Sequence, residues 1–136
     1  MIQIETTSHD PFFNQAFEDY VFRNYREDDV LLLWRNRPAV VVGCYQNICR
    51  EVHMRALLER GIPVVRRMSG GGTVYTDPGG WQFTFIEHSP EQQIEFTQYI
   101  GPVVDAVREL GADAGFNGRN DLLIDGKKFS GNAQYR

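Results

Sequence analysis

Three consecutive glycines set between two strand-like runs constrain this chain more than any other feature. The segment reads Arg66-Arg67-Met68-Ser69-Gly70-Gly71-Gly72-Thr73-Val74-Tyr75. Pro63 to Arg67 before it and Thr73 to Thr76 after it are apolar and β-branched enough to be strands. A glycine run lets the backbone take conformations closed to other residues and turns N–H groups toward a ligand, where successive amides form an anion-binding nest. The Gly-x-x-x-x-Gly-Lys-Ser/Thr spacing of a phosphate-binding P-loop is missing. No helix follows the glycines, which excludes a dinucleotide-binding βαβ turn. Two arginines precede the loop, with forked donors suited to carboxylate or phosphate. Strand alternation points them to opposite faces, so one of the two is expected to meet the ligand. The residues alone lead to an anionic ligand held by a glycine loop; the competing reading is a hairpin with incidental charges.

The surrounding pattern is mixed. Ile2 and Ile4 alternate with Gln3 and Glu5, as in a half-buried strand. Ser8 or Asp10 is placed to cap a helix opened by Pro11, with Phe13, Phe17, Tyr20 and Val21 on one face. Val30 to Trp34 and Ala39 to Val42 read as strands around a turn at Asn36-Arg37-Pro38. A helix is expected over Glu51 to Arg60, stopped by Gly61. Further strands follow at Pro63 to Arg67, Thr73 to Thr76 and Trp81 to Glu87. Ile100, Val103, Val107 and Leu110 share a helical face ended by Gly111, and Pro102 places the regular start of that helix near Gly101. Leu122 to Asp125 and Lys128 to Gln134 form a hairpin about Asp125-Gly126. Strands outnumber helices without regular βαβ alternation, so the expected fold is α+β with a mixed, largely antiparallel sheet and packed helices.

A net charge of −4 lacks the basic face that nucleic-acid binding needs, and no apolar run approaches the roughly 20 residues of a membrane span. Without a signal-peptide pattern, and with two thiols that no disulfide framework organises, a cytoplasmic protein is expected. Cys44 and Cys49 have no second pair at zinc-binding spacing, and His9, His53 and His88 are scattered singly.

Three ordered motifs carry a resemblance. The Arg-Arg-x-Ser-Gly-Gly-Gly-x-Val-Tyr segment with Asp77 and Phe83-x-Phe85 is similar to the signature of the lipoate-protein ligase A family. Gly43-x-x-Gln46-Asn47 with Glu51-Val52 resembles its upstream motif. Gly118-Arg119-Asn120-Asp121-Leu122, then Lys128-x-Ser130-Gly131-x-Ala133, resembles its downstream lysine motif. The likeness runs from about Phe12 to Arg136. It implies a fold similar to biotin ligases and to the class II aminoacyl-tRNA synthetase core. It implies ATP-dependent activation of lipoate to lipoyl-adenylate, then transfer to a lysine of a lipoyl-domain acceptor. ATP and Mg2+ would be co-substrate and metal, with no tightly bound prosthetic group. Acceptors would be E2 subunits of 2-oxoacid dehydrogenases and the glycine cleavage H protein.

Carried over by position, Lys128 is the catalytic lysine beside carboxyl and phosphate. Arg67, Ser69, Gly70, Gly71 and Gly72 match the lipoate and adenylate site. Val74, Tyr75, Asp77, Asn120 and Asp121 match positions near the nucleotide, with Asp121 also a magnesium ligand. Lys127 reads as a solvated neighbour. Trp34, Val42, Tyr75 and Phe83 are candidates for an apolar slot, or plain core. The sequence departs from the family pattern at Thr76, Gly80 and Cys44, where His, Asn and Arg are common. Residues 1–136 are expected to be the N-terminal portion of the family domain, the chain being a fragment or one of two chains that complete it. The rival readings are an octanoyltransferase using a Cys44 or Cys49 thioester without ATP, and a non-catalytic lipoyl-binding or acceptor-docking protein. The Ser-Gly-Gly-Gly loop fits the ATP-using ligases better.

Overall fold

The structure is a computed structural model that describes residues 1–88, 96–118 and 121–136. The chain divides into two compact units, Met1–His88 with Tyr135–Arg136, and Ser89–Gln134.

In the first unit, β1 (Ile2–Glu5) pairs parallel with β2 (Val30–Trp34), which pairs antiparallel with β6 (Gln82–Ile86). Alternation along β2 sends Val30, Leu32 and Trp34 inward, where Val21 and Ile86 complete a core cluster. The element covering that cluster is α1 (Pro11–Asn24), capped by the Asp10 carboxylate, which accepts from the Phe12 amide. Its inward face is the expected one in part, with Val21 in the core cluster and Phe17 packed against it. Phe13 and Tyr20 are exposed, while Pro11, Asn14 and Val21 are buried. The reason is a polar demand: Asn14 Nδ2 donates to the carbonyls of Ser8 (3.1 Å) and Arg35 (3.0 Å) and to Asn36 Oδ1 (2.9 Å). Loop carbonyls beside a helix must be paired when buried, and that requirement outranks the apolar stripe.

A second three-stranded sheet holds β3 (Ala39–Val42) at its centre, parallel to β4 (Val64–Arg66) and antiparallel to β5 (Val74–Thr76). A central strand is covered on both faces, and all four residues of β3 are buried. The expected helix over Glu51 to Arg60 is broken into α2 (Ile48–Glu51) and α3 (Met54–Glu59). Each has its own cap: Asn47 Oδ1 accepts from the Cys49 amide and His53 Nδ1 from the Ala56 amide. Gly61, at φ 64°, ends the pair as expected.

The second unit packs α4 (Phe96–Glu109) on the antiparallel sheet of β7 (Ala114–Phe116), β8 (Asp121–Ile124) and β9 (Lys127–Gly131). Ile100 and Val104 bury against Ala114 and Leu122. Pro102 lies inside this helix rather than at its start; the packed apolar face offsets its missing backbone bond. Strand β7 had no sequence signal. The Asp125-Gly126 turn is present, with φ 49° and 74°, the left-handed pair of a type I′ hairpin. Among the described residues no helix is long and apolar enough to cross a membrane.

Candidate active site

Strand β4 lies on one side of β3 and β5 on the other, so the segment joining them must cross the C-terminal end of β3. The glycines make that crossing. A Cβ on Gly43, the first residue past β3, would run into the Gly71 carbonyl oxygen, and Gly71 takes φ 92°. Gln46 fastens the two segments together: its Oε1 accepts from the Gly43 amide (2.8 Å) and from Thr73 Oγ1 (2.8 Å). The Cys44 amide donates to the Ser69 carbonyl (2.9 Å). The Gly43-x-x-Gln46 motif and the glycine loop are therefore one folded object.

Each arginine holds one half of it. Arg66 Nη1 donates to the carbonyls of Gly43 (2.7 Å), Cys44 (3.0 Å) and Gln46 (2.9 Å). Arg67 Nη2 donates to those of Gly70 (2.7 Å) and Gly72 (2.7 Å), and Nε to Gly70 (3.2 Å). Its Nη1 reaches the Val41 carbonyl at 3.3 Å. With the loop's carbonyls gathered on a cation, the amides of Gly70, Gly71 and Gly72 make no hydrogen bond among the described residues. That is the donor arrangement of an anion nest.

A carboxyl stands behind the cation. Glu18, on α1, accepts a 2.6 Å hydrogen bond from Thr84 Oγ1. Burial raises the Glu18 carboxyl above its ordinary value, against the Thr84 bond and the attraction of Arg67, which lower it. Burial also lowers the Arg67 guanidinium, which Glu18 partly opposes.

The other expected residues of this unit are placed as follows. Ser69 gives its carbonyl to the Cys44 amide. Val74 and Tyr75 are exposed on β5, an edge of the three-stranded sheet. Asp77 heads a turn, its Oδ1 accepting from the Gly79 amide (2.9 Å) and its carbonyl from the Gly80 amide (3.1 Å). Thr76, at the position where His is common, is buried; it accepts from Asn36 Nδ2 (3.2 Å) and donates to the Ala39 carbonyl (3.4 Å). Of the slot candidates, Trp34 and Val42 are core, Phe83 is half-buried and Tyr75 is exposed.

Lys128 and Asp121 belong to the second unit, where Nζ and Oδ1 are 2.7 Å apart, close as an ion pair though poorly aligned as a hydrogen bond. Asn120 lies outside the described residues. Among the described residues no three His, Cys, Asp or Glu side chains gather as a metal site. One carboxylate already facing an ammonium does not fit a protein-held magnesium, which favours oxygen ligands and open water positions. The sequence places Gly43 and Gln46 in a motif and Arg66 beside the loop without giving any of them this bracing role, and it gives no sign of Glu18. The Gly-x-x-Gln spacing signalled the first two; Glu18 sits among aromatic residues and carries no signal.

A family model described as the lipoyl protein ligase A/B catalytic domain matches residues 10–136. Lipoate-protein ligase LplJ of Bacillus subtilis is 40% identical over 129 residues, covering 93% of this chain and 39% of that protein. LipL1 of P. falciparum, solved in complex with lipoate, superposes at TM-score 0.87 with 27% identity over 96% of this chain and 42% of that one. A bipartite lipoate protein ligase studied with its E2 lipoyl domain, from Thermoplasma acidophilum, superposes at TM-score 0.83 with 28% identity over 90% of this chain and 49% of that one. The α+β architecture expected from the sequence is theirs. The chain spans 39% of the length of that curated Bacillus subtilis relative.

Proposed function

Because the chain belongs to the lipoyl protein ligase A/B catalytic-domain family, we propose that it forms the adenylating part of a lipoate-protein ligase. The lipoate carboxylate attacks the α-phosphorus of ATP and expels pyrophosphate, giving lipoyl-adenylate. The amine of a lysine on a lipoyl domain then attacks the acyl carbon and expels AMP, forming the amide. The acceptors are lipoyl domains of 2-oxoacid dehydrogenase E2 subunits and the H protein, in the cytoplasm. The rest of the ligase's pocket comes from sequence beyond this portion, in the same chain or a second one.

The observation that carries this reading is the glycine loop closed on Arg67 through its carbonyls, leaving three successive amides without a partner among the described residues. Adenylation concentrates negative charge at one phosphorus, and fixed donors and cations stabilise it without reorganising. In this role the Gly70, Gly71 and Gly72 amides face acyl or phosphate oxygens, and Arg67 and Lys128 supply charge. Ser69 completes the loop. Val74, Tyr75 and Asp77 flank the nucleotide, with Asn120 and Asp121 at its phosphate side. Magnesium arrives complexed to ATP, where it screens phosphate charge.

Isotope exchange between pyrophosphate and ATP tests the reading in the complete protein. Exchange that depends on lipoate is expected; a protein that acylates its acceptor without any exchange would overturn it. One observation favours a second reading, acyl transfer through a thioester: the Cys44 amide is bonded to the Ser69 carbonyl, at the rim of the loop.

A further inference from the structure

Strand β9 contains an irregularity that decides where Lys128 points. Asp121 pairs with Gly131 and Leu122 with Ser130, but Leu123 pairs with Lys128. Phe129 is therefore an extra residue on β9, a bulge opposite the Leu122/Leu123 step. Side chains alternate with period two, so one added residue reverses the parity of everything on one side of it. Without the bulge, Lys128 and Gly131 would point to opposite faces. With it, they share a face, and Asp121, directly across from Gly131, is on that face too. The contacts agree. A Cβ built on Gly131 would lie 3.0 Å from Lys128 Nζ, 3.1 Å from its Cε and 3.8 Å from Asp121 Oδ1. The lysine thus runs back across the glycine, over the space a side chain would fill, to meet Asp121 at 2.7 Å.

We propose that the Phe129 bulge, Gly131 and Asp121 form a cradle that fixes the Lys128 ammonium, Asp121 being a positioning residue rather than a magnesium ligand. This rests on the reading of Lys128 as the adenylating lysine. An ammonium on a four-carbon stem is otherwise a mobile point charge, and a catalytic cation displaced by about 1 Å can cost about a hundredfold in rate. Gly131 is not among the positive-φ glycines, and the three heavy atoms nearest its missing side chain are Lys128 Nζ and Cε and Asp121 Oδ1, the ends of flexible side chains. Gly131→Ala should therefore keep the fold and move the lysine.

The test uses the complete protein and two variants, Asp121→Asn and Gly131→Ala, with two measurements. The first is acetylation of Lys128 relative to Lys127 by an amine-reactive acetyl ester, read by peptide mass spectrometry. The cradle predicts slower labelling of Lys128 in the wild type and a rise of about two- to fivefold in the ratio in both variants, the scale of a half-exposed ion pair. The second is lipoate-dependent pyrophosphate exchange. Both variants should lose about ten- to a hundredfold in kcat, with KM for ATP little changed and no recovery in excess magnesium. An unchanged labelling ratio in both variants would overturn the cradle. So would a Gly131→Ala protein of normal rate beside an Asp121→Asn protein rescued by magnesium. Shifted labelling in a protein that shows no exchange at all would uphold the cradle and remove the ATP-dependent reading instead.

Discussion

Two adjacent lysines on β9 test whether position or charge matters at this site. Both Lys127 and Lys128 are exposed, but only Lys128 meets Asp121. If Lys128 follows charge from the lipoate carboxylate to the α-phosphate, Lys128→Ala should slow adenylation about a hundred- to a thousandfold, or about 3–4 kcal/mol. Lys127→Ala, which removes the same formal charge from the same strand, should change the exchange rate little. Equal rates for wild type and a folded Lys128→Ala protein would take that lysine out of the mechanism. Glu18 makes a prediction of the opposite kind, on stability. Its folded-state value is raised, chiefly by burial. A raised value means the stabilising balance is fully present below the ordinary carboxylate value of 4.5 and is lost as pH rises through the folded value. Glu18→Gln keeps an oxygen for the Thr84 hydroxyl and removes that titration. Thermal melts should therefore favour the variant increasingly as pH rises from acid to neutral. A melting difference that is the same at both ends of that range would contradict the assignment.

At the scale of elements, the loop after β3 and the loop after β4 stand or fall together. Gly43→Ala drives a methyl into the Gly71 carbonyl, a backbone atom that cannot swing aside. The expected cost is about 1–3 kcal/mol of stability, with a loss of adenylation as the nest opens. Gly72→Ala is the control, because nothing lies within 4 Å of the added carbon and φ there is not in the left-handed region. Comparable melting temperatures for the two variants would show that the crossing does not organise the site. The same elements show what a sequence can and cannot convey. Strands β2 and β3 were readable to the residue, because burial imposes alternation on one and a continuous apolar run on the other. The start of α1 was written in Asp10 and Pro11. Phe17 and Val21 on its inward face were legible too, but the burial of Asn14 was not, since Asn14 answers carbonyls contributed by Ser8 and Arg35, a demand that local periodicity does not contain. The break between α2 and α3 was hidden because His53 acts as a cap, a role its residue type seldom signals. In the site, the glycines and arginines were legible as chemistry. That Arg66 grips one loop and Arg67 the other depends on the ends of three paired strands, which no spacing along the chain encodes.

For the molecule as a whole, the open question is which reaction the family fold runs here, and the cysteines decide it. The family model covers residues 10–136, while the curated relative is longer by far, this chain spanning 39% of it. Family membership alone leaves two ways to activate an acyl group: as a mixed anhydride with AMP, or as a thioester on the enzyme. The second needs a cysteine that reaches the acyl carbon and is freed of its proton. Cys49 is exposed in the first turn of α2, its amide occupied by the Asn47 cap. Cys44 is the stronger candidate, half-buried and tied by its amide to Ser69 beside the glycines. Yet the loop it borders offers amides and a guanidinium-bound frame, donors that suit phosphate oxygens, and among the described residues no histidine joins its hydrogen bonds to act as a base. The expected outcome is that Cys44→Ser and Cys49→Ser each keep lipoate-dependent exchange within about threefold of wild type, since a half-buried or exposed thiol and the hydroxyl that replaces it differ by no more than roughly the strength of one weak hydrogen bond. Intact-mass spectra after treatment with a thioester acyl donor should show no acyl adduct on either sulfur. Loss of acceptor acylation in Cys44→Ser, together with an acyl adduct on the wild-type thiol, would instead assign the chain to thioester transfer. The glycine loop would then serve as an oxyanion site for that acyl group, and the Gly43→Ala defect would appear in acyl transfer rather than in exchange.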